Sequence, residues 1–85
     1  MYAYIKAKNL SNSPVISVYI NDTLYFRDLI GNSISKECDA GSIILTVLDN
    51  REKVILDLYL PVSPRKRYLL EILTNGYNFT PLGFF

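Results

Sequence analysis

The sequence predicts an all-β fold, a seven- to eight-stranded antiparallel β-sandwich. Three observations carry that expectation. Turn chemistry recurs at Asn9–Pro14, Asn21-Asp22, Gly31–Ser33, Ala40-Gly41, Asp49-Asn50, Pro61–Pro64 and Asn75-Gly76, at intervals of roughly ten residues. β-branched and aromatic runs, many with period-two alternation, fill the intervals. The length of 85 residues suits one domain over residues 1–85, and a domain of that size hides only about 60–65% of its unfolded surface.

The first strand, Tyr2 to Lys8, sets Ala3, Ile5 and Ala7 on one face and Tyr4, Lys6 and Lys8 on the other. In the second, Ile16, Val18 and Ile20 alternate with Val15, Ser17 and Tyr19. Asn21-Asp22 joins it to Leu24–Asp28 as a tight hairpin, because both residues tolerate positive φ at little cost. Ser33–Cys38 is a weaker strand. Ser42–Leu48 is nearly all apolar, the composition of a central strand covered on both faces. Lys53–Leu60 sets Val54, Leu56, Leu58 and Leu60 opposite Lys53, Ile55, Asp57 and Tyr59, and the short polar link Asp49–Glu52 makes these two strands a hairpin.

Residues 64–73 admit two readings. Ser63-Pro64 has the form of an N-cap with proline at the first helical position, and helix formers follow. The competing reading is a strand from Lys66 to Leu73, with Tyr68, Leu70 and Ile72 on one face. The strand is preferred, since so short a helix needs outside support. Asn75-Gly76 then leads as a hairpin into a last strand, Tyr77–Leu82.

The chain is 49% hydrophobic, with seven Tyr and four Phe. That is more apolar surface than one small core hides, which points to a homo-oligomer, a dimer before larger assemblies. Nine Lys and Arg face eight Asp and Glu, so no electrostatic pull toward nucleic acid or an acidic membrane is expected. The longest apolar runs are too short to span a bilayer. No basic stretch followed by an apolar one opens the sequence, which suggests a cytoplasmic location, or the cell surface if an exported protein has been trimmed. The lone Cys38 excludes an intramolecular disulfide and suits a reducing compartment.

Histidine is absent, which removes Ser-His-Asp, Cys-His and His-based metal chemistry. The four glycines are scattered at turns and form no phosphate-binding loop. No catalytic residue, metal ligand or cofactor is expected, and the chain does not read as an enzyme. Asp22, Asp28, Glu37 and Asp39 lack the spacing of a calcium loop and read as solvated charges, as do most charged side chains. Arg65-Lys66-Arg67 reads as a solvated turn or edge protection rather than a phosphate contact. Asn9, Asn21 and Asn78 each open a glycosylation tripeptide, which turn chemistry explains as well.

Aromatic residues carry the remaining functional signal. Tyr4, Tyr19 and Tyr59 fall opposite the apolar strand faces and form a candidate ligand face, since tyrosine stacks on sugars and makes protein contacts at low entropic cost. Cross-strand pairing on a half-covered sheet is the plainer role for such rings. Phe79, Phe84 and Phe85 form a candidate interface near the C-terminus. The expected function is a non-catalytic structural or protein-interaction module that self-associates. The alternative is a carbohydrate- or peptide-binding module using the tyrosine face.

Asn9-Leu10-Ser11 with Pro14, then Val18-Tyr19-Ile20-Asn21, Asp39-Ala40-Gly41-Ser42 and Lys66-Arg67-Tyr68-Leu69 follow one another in an order that resembles a bacterial family, domain of unknown function 4397. Its members carry an Asn-Ala-Ser-Pro opening, Val-Asp-Val-Tyr-Val-Asn-Gly, a Pro-Ala-Gly-Thr turn and Gly-Lys-Arg-Tyr-Thr-Leu. Ser17 replaces the usual Asp here, and Asp22 the turn Gly. The resemblance covers about residues 5 to 74. It implies a small immunoglobulin-like or transthyretin-like β-sandwich, often displayed on the bacterial surface beside other domains. It transfers no activity.

Overall fold

A computed structural model of the chain describes residues 2–29 and 33–84. The expected turn at Gly31–Ser33 falls largely outside the described residues, and Phe85 wholly so. Asn21 and Asp22 hold φ of 51° and 63°, the two positive values that a tight two-residue hairpin needs. The turn is also anchored from outside. Asn21 N–H donates to the Ile44 carbonyl at 2.9 Å, and its Oδ1 accepts the Ile44 N–H at 2.9 Å.

The strands are β1 (Tyr2–Asn9), β2 (Ile16–Ile20), β3 (Thr23–Leu29), β4 (Ile34–Asp39), β5 (Gly41–Leu48), β6 (Val54–Val62), β7 (Lys66–Leu73) and β8 (Gly76–Phe84). They form two four-stranded sheets. The first runs β4-β1-β7-β8 and the second β3-β2-β5-β6. No helix occurs among the described residues, and residues 66–73 are strand. The core lies between the sheets. Ile5, Leu70 and Ile72 of the first meet Ile16, Val18, Ile43, Leu45 and Val47 of the second, all 1% exposed or less.

Polar side chains fix the crossings. Asn9, 7% exposed, donates from Nδ2 to the Ser13 carbonyl, while its Oδ1 accepts the Ser11 N–H at 3.0 Å and the Ser11 hydroxyl at 2.6 Å. This knot carries the chain from the first sheet to the second. In the β5–β6 hairpin, Asp49 Oδ1 accepts the N–H groups of Arg51 and Lys53, at 2.8 and 3.0 Å. Those donors hold its carboxyl below the usual value of 3.8.

Four expectations need correction. The sandwich is not antiparallel throughout, because β1 pairs with β7 in parallel. A parallel pair requires a long crossover, and the chain between β1 and β7 supplies it by building the second sheet and the β4 edge of the first. β5 is covered on one face only: Ile43, Leu45 and Val47 are buried, but Ile44, Thr46 and Leu48 are half-buried. The alternation in β6 breaks at a bulge. Leu48 pairs with Val54 and Val47 with Leu56, so Ile55 turns toward the core and Val54 is 52% exposed. The last hairpin turns at Thr74-Asn75, and Gly76 already pairs with Leu73.

Candidate functional site

The two sheets meet along two open sides, and these differ. On one side β3 and β4 are the edge strands. A register slip leaves Tyr25 as the extra residue of β3, between the pairs Val18–Phe26 and Tyr19–Leu24. Its hydroxyl reaches across to donate to the Lys36 carbonyl, and Lys36 Nζ donates back to the Tyr25 carbonyl at 3.2 Å. The same ammonium lies 5.3 Å from the centre of the Tyr25 ring. Phe26 packs edge-on against that ring at 4.5 Å, and Cys38 is buried beneath. Burial pushes the Tyr25 phenol well up, with the neighbouring Cys38 adding to it. Burial, then the charge of Asp39, pushes the Cys38 thiol up to about 11.

On the other side the edges are β6 and β8. Leu56 and Leu58 share the inward face of β6 with buried Leu60 and Val62, yet remain half-buried, as does Ile55. Across from them Phe79 is half-buried and stacks on Tyr68, with ring centres 4.6 Å apart and planes 6° apart. Tyr77 is 39% exposed and Phe84 is 74% exposed.

β8 differs from the other three edges in sequence as well. β3 carries Arg27 and Asp28, β4 carries Lys36, Glu37 and Asp39, and β6 carries Asp57. The nine residues of β8, Gly-Tyr-Asn-Phe-Thr-Pro-Leu-Gly-Phe, include no charge. Charges are the usual protection of an exposed edge.

The expected site residues are dispersed. Phe79 belongs largely to the chain's own interior through Tyr68. Phe84 projects from the end of β8, with the Lys66 ammonium 5.3 Å from its ring. Phe85 lies outside the described residues. Tyr19 and Tyr59 share the outer face of the second sheet, on strands either side of β5. Tyr4 lies on the outer face of the first sheet, so the three tyrosines do not form one surface. The tyrosine face is thus corrected to two faces, because each strand's alternation fixes its faces but not which sheet it joins.

Tyr4 instead lines a depression of about 500 Å³ with Lys6, Ser33, Ser35, Arg67, Tyr68 and Leu82. These residues come from all four strands of the first sheet and the residue preceding β4. Sequence reasoning missed Lys6, Ser35 and Leu82, since only the strand order brings them together. Among the described residues no group of three Asp, Glu or Cys is placed to hold a metal ion. Among the described residues no helix is long and apolar enough to cross a membrane. Compared with known proteins, the chain matches no family model and no curated sequence.

Proposed function

We propose that this chain is a non-catalytic structural or protein-interaction module that pairs with a second copy of itself along β8. One observation carries the reading: β8 is a long, uncharged edge strand on the side where apolar core residues are half-covered. Added strands bind an exposed edge through main-chain hydrogen bonds, and antiparallel pairing of a strand with its own copy is necessarily two-fold. Pro81 has no N–H to give, and the register slips beside it. The pairing span is therefore Gly76–Thr80, with Asn78 on the two-fold axis. The half-covered sides of both copies then adjoin, and Leu56, Leu58, Tyr77 and Phe79 gain cover together.

The finer identity, immunoglobulin-like or transthyretin-like, is part of the same proposal. Two four-stranded sheets support it. Kinship with the family of unknown function 4397 is supported by the work of two motif residues, since Asn9 and Asn21 each tie a turn through their side chains.

Amide hydrogen exchange at rising concentration tests the pairing. From about 10 μM to about 1 mM, the range where weak dimers form, protection should rise within Gly76–Thr80 and stay constant in β3. Constant exchange in β8 over that range would overturn the reading. A second reading, a carbohydrate-binding module, is favoured by the depression beside Tyr4.

A further inference from the structure

We propose that the outer face of the second sheet is a platform for a non-acidic polysaccharide chain, with Tyr19 and Tyr59 as its stacking rings. This deepens the carbohydrate reading and rests on it, but uses a face separate from the depression beside Tyr4 and from the β8 edge. The register builds the platform. Tyr19 of β2 lies beside Thr46 of β5, and Thr46 lies beside Asp57 of β6. Tyr59 shares the face of Asp57 and lies beside Ile44. Val18, Ile20, Leu45 and Leu60 are buried, so the alternation turns Tyr19, Ile44, Thr46 and Tyr59 outward.

The chemistry of this face selects the ligand. Tyr59 is 74% exposed and Tyr19 is half-buried, so both present aromatic surface to a ligand. Between the two rings stand the Thr46 hydroxyl and the Asp57 carboxylate, the first donating to Oδ1 of the second at 3.4 Å. A purely apolar partner would bury that carboxylate at a cost. A sugar chain suits both kinds of group, with C–H faces for the rings and hydroxyl donors for Asp57. The negative charge of Asp57 disfavours a polysaccharide that carries carboxylates of its own.

The spacing favours a chain over a single sugar. Tyr19 and Tyr59 are two strands and two residues apart. A strand separation of ~4.8 Å and a rise of ~3.3 Å per residue put their Cα atoms about 12 Å apart. That span suits successive rings of one extended chain laid diagonally across β5, and one sugar cannot reach both tyrosines. The face of a paired sheet is also open, whereas small ligands are held in concave sites. The platform is held in place before any ligand arrives. Asn21 donates its N–H to the Ile44 carbonyl and accepts the Ile44 N–H, both at 2.9 Å, beside Tyr59.

The test is a titration of the isotopically labelled protein, followed by NMR. Separate arms use β-linked hexamers of glucose, xylose, mannose and N-acetylglucosamine, a hexamer of galacturonate, and free glucose. One or more of the neutral hexamers should move the amides around Tyr19, Thr46, Asp57 and Tyr59 saturably, with a Kd of about 0.1–1 mM. Free glucose should bind about tenfold more weakly, because it covers one ring only. Tyr59→Ala should weaken the hexamer about tenfold and Tyr59→Phe should bind as the wild type does. Both variants should keep the melting temperature, because Tyr59 is exposed. Free glucose binding as tightly as the hexamers, or Tyr59→Ala binding as well as the wild type, would overturn the platform and leave the carbohydrate reading standing. Saturable shifts confined to the surroundings of Tyr4 would do the same. Galacturonate binding more tightly than every neutral hexamer would overturn the non-acidic preference. No saturable shift with any of these sugars would overturn both readings.

Discussion

The β3/β4 side and the β6/β8 side of this sandwich begin from the same problem and reach different ends. Each joins the edges of two sheets over the rim of one core. At β3/β4 a bulge turns Tyr25 across the gap, where its hydroxyl and ring both engage Lys36, and Phe26 and Cys38 are sealed beneath. At β6/β8 a bulge turns Ile55 inward, but it is short and apolar, and Leu56, Leu58 and Phe79 stay half-covered. Closing a narrow sandwich takes a side chain that is apolar along its length and polar at its tip. On the β6/β8 side the side chain of that kind, Tyr77, stays 39% exposed, and β8, which carries it, has no charge. Both features fit an edge meant to be covered by another chain.

The largest expected difference between the sides is energetic. Phe26→Ala should cost about 3–5 kcal/mol, the range for an aromatic ring removed from a core. Phe79→Ala should cost about 1–2 kcal/mol, because its ring is half-exposed and loses chiefly the stack on Tyr68. Urea unfolding at low protein concentration measures both, and the reverse order would break the comparison.

Alkaline pH should open the β3/β4 side first. In the unfolded chain Cys38 and Tyr25 ionise near 9.0 and 10.0. In the folded chain both resist, Cys38 up to about 11. Their protonated forms therefore add stability that is complete below about pH 9 and is lost as pH rises toward the folded values. The urea midpoint should fall through that window, and Cys38→Ala combined with Tyr25→Phe should flatten the fall. Tyr25→Phe alone should cost about 1 kcal/mol at neutral pH, the net worth of one hydrogen bond.

The smallest expected effect is on the β5–β6 hairpin. Asp49 is held below its usual 3.8 by the Lys53 and Arg51 N–H groups. Its ionised form supports the hairpin above that value and is lost as pH falls through the lower folded one. Asp49→Asn should raise amide exchange at Arg51 and Lys53 and leave β1 and β7 unchanged.

The strands with clean alternation were legible in the sequence. Ala3, Ile5 and Ala7, then Ile16 and Val18, then Leu70 and Ile72 all face the core as the two-residue period requires. Bulges were not legible, because an extra residue at Tyr25 or Ile55 has no signature in composition. Partnership across sheets was hidden too. Tyr4 and Tyr19 have the same local pattern, yet β1 and β2 belong to different sheets, so the expected tyrosine surface divides in two. Of the residues expected at an interface, Phe79 turns inward to stack on Tyr68, a contact hidden in the sequence because only the β7–β8 register brings the two rings together.

Light scattering of the wild-type chain and of Asn78→Lys, from about 1 μM to about 1 mM, tests self-association most directly. Asn78 is exposed on β8, so the substitution leaves the monomer intact while setting two ammonium groups face to face on the two-fold axis. The wild-type mass should rise from 9.7 kDa toward twice that value. Asn78→Lys should stay at the monomer mass with an unchanged melting temperature at low concentration. A wild-type chain that stays monomeric throughout, or an Asn78→Lys variant that pairs as well as the wild type, would contradict pairing along β8.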